Sequence, residues 1–270
     1  MTALSPQLFA VFAGLIEDAS GLHYAPGDRE VFASKLIAHA RERGHDVLLD
    51  YYYRLRYDDE RGTELAGLLE ALLVHETYLF RELGALTELV DSHLVPTVRA
   101  RGCARVWSAA CSTGDEPFTA AMLLDARGVL DEVEIVATDI SPVVIARARR
   151  GELGRHALRD GHPADLAARY TEVTARSVTV APRIRRAVQF STMNLVDPIP
   201  AAFGVFDAIL CRNVLIYFDD AQTLQIVDRL ADHLAPGGLL AVGVSVSLLR
   251  FGTRLACEER GSSFFYRCAR

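Results

Sequence analysis

Val106-Trp107-Ser108-Ala109-Ala110-Cys111-Ser112-Thr113-Gly114-Asp115-Glu116-Pro117 is the stretch on which the fold turns. An apolar strand runs into small residues and one glycine, then into a helix that opens with two acids and a proline. Small residues let a ligand approach the backbone at the carboxyl end of a strand. Asp115 and Glu116 repel a phosphate at the helix N-terminus behind them. A ligand that carries a sulfonium and an ammonium tolerates them. The same residues also suit a plain strand–turn–helix with capping acids.

Outward from this stretch the texture is α/β. Apolar runs at 104–109 and 133–137 alternate with helical patterns at 117–127 and 142–150. The rhythm resumes at 206–211, passes through a helix near 221–233, and reaches 239–244 after Pro236-Gly237-Gly238. Such alternation predicts parallel strands joined by helices. The last apolar run, 263–268, reads as an antiparallel edge strand. Between about 154 and 190 the rhythm lapses, and weak alternation at 171–180 and 185–190 predicts a small β-rich insertion.

The first ninety residues read as helices instead. Ser5-Pro6 is a helix start, with Ser as N-cap and Pro in the first turn. Leu8, Phe12, Leu15 and Ile16 then share one face, and Gly21 ends the helix. Further helical patterns cover 26–43, 47–56 and 64–74. The expected organisation is a helical N-terminal domain over 1–90 and a ligand-binding α/β domain over 91–270, with the insertion at about 154–190.

Composition narrows the function. The 270 residues are half apolar, enough for a sizeable core, and the formal charge of -6 argues against nucleic acid as a partner. Lys35 is the one lysine among 29 basic residues, so the arginines look like compositional habit. The cysteines, Cys103, Cys111, Cys211, Cys257 and Cys268, form no CxxC pair and no ligand spacing with histidine. They suggest reduced thiols and no metal site. No signal-peptide layout and no run of roughly 18 apolar residues is present. A soluble cytoplasmic protein without membrane insertion is expected, and no apolar stripe demands a second copy, which points to a monomer.

Two further segments carry chemistry. Ile135-Val136-Ala137-Thr138-Asp139-Ile140-Ser141 ends the next strand on an acid, whose two oxygens match the adjacent hydroxyls of a ribose; Asp139 could instead cap the helix that starts near Ser141. Phe206 to Phe218 delivers Arg212, Asn213 and Tyr217 to the same carboxyl edge. Otherwise Arg212 pairs with a local acid and Tyr217 packs.

Together with Thr77-Tyr78-Leu79-Phe80-Arg81-Glu82, these segments resemble the CheR family of chemotaxis methyltransferases. The resemblance runs almost the whole length, through ETYLFRE, WSAACSTGDEP, ATDIS, Asn194-Leu195, CRNVLIYF and LAPGGLLAVGVSVSL. It implies a class I, Rossmann-like S-adenosylmethionine-dependent methyltransferase fold with a helical N-terminal domain and a small β-subdomain. The implied activity is methyl-ester formation on glutamate side chains of methyl-accepting chemoreceptors, at their cytoplasmic helical domain, with S-adenosylhomocysteine as product. Carried over, Thr77 and Arg81 contact the cofactor, with the Arg81 guanidinium donating to the cofactor's carboxylate. Asp115 or Glu116 faces the amino-acid end, Asp139 the ribose, and Asn194, Leu195, Asn213 and Val214 frame the adenine and methionine parts. Tyr217 and Arg81 are the expected catalytic residues, Tyr217 as a neutral phenol that orients the acceptor carboxylate.

Three departures stand out. His75 replaces a frequent Asn and either bonds the cofactor or faces solvent. Asp115 replaces a more usual Glu. The family's G-x-S-E segment reads Gly243-Val244-Ser245-Val246, without its acid. His75 and Val246 keep open a non-catalytic regulatory or scaffold module; a small-molecule methyltransferase of the same fold is the other alternative, against which the Thr77–Glu82 segment argues. The helix bearing Lys35, His39, Arg41 and Arg43 either docks on acidic receptor helices or is a solvated face.

Overall fold

The computed structural model describes residues 4–268. They divide into two compact units, one formed by residues 4–74 with Tyr217–Gln222, the other by the remainder. The division at residue 74 lies ahead of the expected boundary at 90. The reason is packing: Leu79, Phe80, Leu86, Leu89 and Val90 are buried in the same apolar cluster as the sheet residues Val106 and Ile135.

In the first unit, α1 (Pro6–Ser20) begins where Ser5 Oγ accepts the Leu8 N–H at 3.2 Å. It ends at Gly21, whose φ of 77° is a left-handed cap. Phe12, Leu15 and Ile16 are buried on the expected face. They meet Phe32, Leu36 and Ala40 of α2 (Arg29–Glu42), Tyr51 of α3 (Leu48–Tyr53), and Leu68 and Leu72 of α4 (Thr63–Leu72) in one core. The basic face expected on α2 is mostly spent on this packing. Lys35 Nζ donates to the Leu72 and Leu73 carbonyls at the end of α4, at 3.0 and 3.4 Å. His39 is buried, and Arg43 pairs with Glu64 at 3.4 Å.

The second unit opens with α5 (Leu83–Leu89) and α6 (Val95–Arg101). It continues through β1 (Ala104–Ala109), α7 (Asp115–Ala126), β2 (Val133–Asp139) and α8 (Pro142–Arg150). A small antiparallel sheet, ordered β3-β5-β4, follows from β3 (Glu152–Gly154), β4 (Thr171–Val173) and β5 (Ser177–Val180), with α9 (Ala164–Tyr170) and α10 (Pro182–Arg186) around it. The chain then rejoins the main sheet through β6 (Val188–Thr192), β7 (Phe206–Leu210), α11 (Asp220–Asp232), β8 (Leu234–Ala241), β9 (Leu255–Arg260) and β10 (Ser263–Cys268).

Among the described residues the main sheet has seven strands in the order β6-β2-β1-β7-β8-β10-β9. The pairs β6·β2, β2·β1, β1·β7 and β7·β8 are parallel, and β10 runs antiparallel to both β8 and β9. This is an α/β, Rossmann-like sheet. Its order reverses at β1, with β2 on one side and β7 on the other, and such a switch point opens a crevice at the carboxyl ends of the strands.

Three details differ from the expectation. The last strand, β10, is interior rather than an edge, because β9 pairs along its outer side. The small sheet takes in Glu152–Gly154, while Val188–Thr192 belongs to the main sheet beside β2, where Val188 and Phe190 bury alternate positions. Pro236-Gly237-Gly238 lies inside β8, where a bulge shifts the register between Phe206 and Ala208 and Gly237 takes a φ of 76°.

Candidate functional site

Three segments meet at the crevice, and all carry backbone strain. Phe80, Glu82, Ala110, Ser112 and Asn213 are the five described non-glycine residues with left-handed φ, between 50° and 64°. Ala110 and Ser112 follow β1, Asn213 follows β7, and Phe80 and Glu82 lie in the segment before α5. A non-glycine residue pays roughly 1–2 kcal/mol for this conformation, and such strain clusters at ligand sites. Gly114 completes the turn into α7 with a φ of 91°, and a Cβ there would lie 2.9 Å from Phe118 and 3.1 Å from Phe190. The turn must be tight because α7 and β6 crowd it.

A chain of buried polar groups joins these segments. Ser108 Oγ donates to Glu116 Oε1 at 2.7 Å, and Arg212 Nη1 donates to Glu116 Oε2 at 3.1 Å. Arg212 Nη2 donates to the Arg81 carbonyl at 2.7 Å and lies 3.2 Å from Glu82 Oε2. Asn213 Nδ2 donates to Glu82 Oε1 at 3.2 Å and to Ser245 Oγ at 3.5 Å. The Arg212 side chain is 2 % exposed, so its pairing with Glu116 and Glu82 is what keeps the charge tolerable. Burial pushes the Glu116 carboxyl up, against the pull of Arg212 and Ser108.

Beside this chain sit two more acids. Asp115 is 1 % exposed, and Thr113 Oγ1 donates to its Oδ2 at 2.5 Å. Burial lifts Asp115 to about 6. Asp139, at the tip of β2, accepts the Ser112 N–H at 2.8 Å and the Ser141 N–H at 3.0 Å. The cap of α8 is Ser141, whose Oγ accepts from Val144 N–H at 3.1 Å, so Asp139 does not serve as that cap. The Asp139 carbonyl accepts the Met193 N–H at 2.9 Å and draws the loop after β6 to the same edge.

Two carboxyl groups, Glu82 and Glu116, flank the Arg212 guanidinium, and Asp115 and Asp139 lie at the same sheet edge. The thiol of Cys111 senses the result: burial pushes it well up, and the fields of Asp139, Glu116 and Asp115 push it further. Both effects disfavour a thiolate at Cys111. The crevice also holds three buried polar atoms without a hydrogen-bond partner, Glu82 Oε2, Ser112 Oγ and Arg212 Nε. Glu82 Oε2 is close enough to Arg212 for an ion pair but is not aligned for a hydrogen bond. Glu82 Oε2 can accept from a cationic ligand's N–H, Ser112 Oγ can accept or donate, and Arg212 Nε can donate to an acceptor on the same ligand. The residues therefore fit S-adenosylmethionine.

The sequence-predicted residues are distributed unevenly around this crevice. Asp115, Asp139, Asn213 and Glu116 belong to it, with Glu116 committed to Ser108 and Arg212. Asn194 lies in the loop drawn to Asp139, its Oδ1 accepting the Val196 N–H at 3.4 Å, and Leu195 beside it is buried. His75, Thr77 and Val214 are half-buried on the participating segments. The Arg81 carbonyl takes part, but its guanidinium donates to the Glu76 carbonyl at 3.0 Å and lies 5.6 Å over the Tyr78 ring. Tyr217 groups with the helical unit, where its carbonyl accepts the His23 N–H at 2.9 Å. Glu82, Ser108 and Ser112 were not singled out as site residues. Glu82 closes the quoted ETYLFRE run, and its charge beside an apolar stretch was the available signal.

Residues 75–260 match the family model described as "CheR methyltransferase, SAM binding domain". The chain is 31% identical over 266 residues to "Chemotaxis protein methyltransferase 2" of Vibrio cholerae, covering 96% of this chain and 92% of that one. It is 32% identical over 249 residues to "Chemotaxis protein methyltransferase 1" of Pseudomonas aeruginosa, covering 89% and 90%. It is also 32% identical over 250 residues to the "Chemotaxis protein methyltransferase" of Escherichia coli, covering 90% and 85%.

Proposed function

The chain belongs to the CheR methyltransferase family, and from that premise we propose that it methylates glutamate side-chain carboxylates on chemoreceptors. Its cofactor is S-adenosylmethionine. The observation that carries the reading is the electronegative crevice at the β1–β7 switch point with its unpartnered Glu82, Ser112 and Arg212 atoms. Among the described residues no helix is long and apolar enough to cross a membrane, which fits an enzyme that meets its receptor outside the bilayer.

When bound, the cofactor supplies an electrophilic methyl group on a sulfonium. In this reading Asp115 faces the cofactor's cationic amino-acid end, while Asp139, oriented by Ser112 and Ser141, accepts from the ribose hydroxyls. Arg81, Thr77, His75, Asn194, Leu195, Asn213 and Val214 complete the binding set. An acceptor glutamate is ionised at neutral pH, since its ordinary value is about 4.3. No general base is needed. The chain's tasks are to align the carboxylate and strip its water. Transfer neutralises charge, so a cation held against the carboxylate would stabilise the ground state more than the transition state. A phenol avoids that penalty, and Tyr217 is assigned this role.

Calorimetric titration with S-adenosylmethionine and S-adenosylhomocysteine, with Asp139→Ala as control, tests the crevice. Transfer of labelled methyl to receptor cytoplasmic fragments, released by mild base as methanol, tests the acceptor, because esters hydrolyse and N-methyl groups do not. Tyr217→Phe is expected to lower turnover about tenfold, the worth of one orienting hydrogen bond, with cofactor affinity unchanged. Full turnover in that variant removes Tyr217 from the mechanism.

A further inference from the structure

The segment that follows β8, from Val242 to Leu249, has an unusual composition for an acidic chain, since it carries no charged side chain. Its start is fixed against the crevice. Gly243 has a φ of 79°, a Cβ there would lie 3.2 Å from Asn213 Nδ2, and Asn213 also reaches Ser245. Its far end is fixed by Leu248, whose side chain is buried and whose N–H donates to the Tyr266 hydroxyl at 2.8 Å. Yet Val244 is 84% exposed and Leu249 71%, the two most exposed large apolar residues of those described. Ile216, three residues beyond Asn213, is also exposed. Val242 and Leu248 already supply the segment's core contacts, so folding does not account for two aliphatic side chains in water on a segment that starts at the crevice.

We infer that Val244 and Leu249 form an apolar rim that recognises aliphatic side chains flanking the acceptor glutamate. The substrate class is an amphipathic helical segment whose reactive glutamate has apolar neighbours at three- or four-residue spacing. This rests on the reading of the chain as a glutamate methyltransferase. The chemistry favours such a rim. The acceptor carboxylate must lose water before in-line transfer. An anionic rim would repel it, and a cationic one would hold it in the ground state. An aliphatic rim excludes water without either effect. Val246, where the family pattern has an acid, leaves the segment free of like charge toward an acidic substrate.

The test uses two helical peptides with the same glutamate, flanked at those spacings by leucine in one and glutamine in the other. The enzyme carries Val244→Ser with Leu249→Ser, neutral changes at exposed positions that leave the core intact. Expected is about a tenfold rise in KM for the leucine-flanked peptide, equivalent to about 1.4 kcal/mol. Its kcat, the KM for the glutamine-flanked peptide and the calorimetric affinity for S-adenosylhomocysteine stay at their original values. Val244→Ile retains the original KM. An unchanged KM in the double variant, no preference between the peptides, or loss of S-adenosylhomocysteine affinity overturns the rim. An unaltered enzyme that binds S-adenosylhomocysteine but methylates neither peptide nor receptor fragments overturns the glutamate reading, and the rim with it.

Discussion

Thr113 donates a hydrogen bond to Asp115, yet burial still lifts that carboxyl to about 6. A cationic ligand needs Asp115 ionised, so protonation competes with binding. Cofactor affinity is expected to fall as pH drops through 6, approaching tenfold per unit below it. Asp115→Asn should bind more weakly at pH 7.5 and lose this slope, which calorimetry at pH 7.5, 6 and 5 checks. Arg212 works the other way, as a buried cation held between Glu116 and Glu82. Arg212→Met leaves Glu116 and Glu82 buried without a counter-charge, and about 3–5 kcal/mol of stability should be lost in urea unfolding. At this scale the sequence was partly legible. Asp139 and Asp115 could be read because strand ends in α/β sheets are where ligands bind. A pairing of Arg212 with a local acid could be entertained, but its actual partners, Glu116 and Glu82, lie far from it in the chain. Which way the Arg81 side chain turns depends on the ring of Tyr78 and the carbonyl of Glu76, and no spacing reveals that.

The β1–α7 turn shows what the elements require of single positions. Gly114 combines a φ of 91° with contacts that a Cβ could not make without moving Phe118 or Phe190. Gly114→Ala is expected to cost about 1–3 kcal/mol from backbone strain, with steric displacement added. Because Ser112 and Asp139 are bonded across the same turn, cofactor affinity should fall too; urea unfolding and calorimetry on one preparation separate the two losses. Elements with strong periodicity were readable to within a residue or two, as with α1, α8 and β1. β9 was not, because its sequence, Leu255 to Arg260, carries Glu258, Glu259 and Arg260. Charge is how an outer strand avoids pairing with another chain, and it also hides the strand from any search for apolar alternation. β6 was placed in the insertion for a related reason: its partner β2 lies some fifty residues earlier, so nothing local indicates which sheet it joins.

Each unit of the molecule buries a histidine that must stay neutral, and acid should therefore weaken both. His39 in the helical unit and His93 in the sheet unit both lie below the ordinary value of 6.5, mainly through burial. His93 Nε2 bonds the Asp207 carbonyl at 2.9 Å, while His39 Nε2 is buried without a partner. Below about 6.5 the unfolded chain takes up protons on these imidazoles that the folded chain refuses, so stability falls with pH. Asp115 acts in the opposite sense. Its folded value of about 6 lies above its ordinary one, so its contribution is fully present below 3.8 and fades as pH rises through 6. It thus offsets part of the histidine loss. The single tryptophan, Trp107, lies buried in the sheet unit and reports that unit alone, whereas far-ultraviolet dichroism reports the helices of both. Lowering pH from 7.5 to 5.5 should move both urea midpoints down. His93→Gln, which retains a donor for Asp207, should flatten the tryptophan-detected shift and leave a dichroism shift from His39. His39→Leu should do the reverse. If the two probes stay superimposed in every variant, the units unfold as one cooperative body, and each histidine then acts on the stability of the whole chain rather than of its own unit.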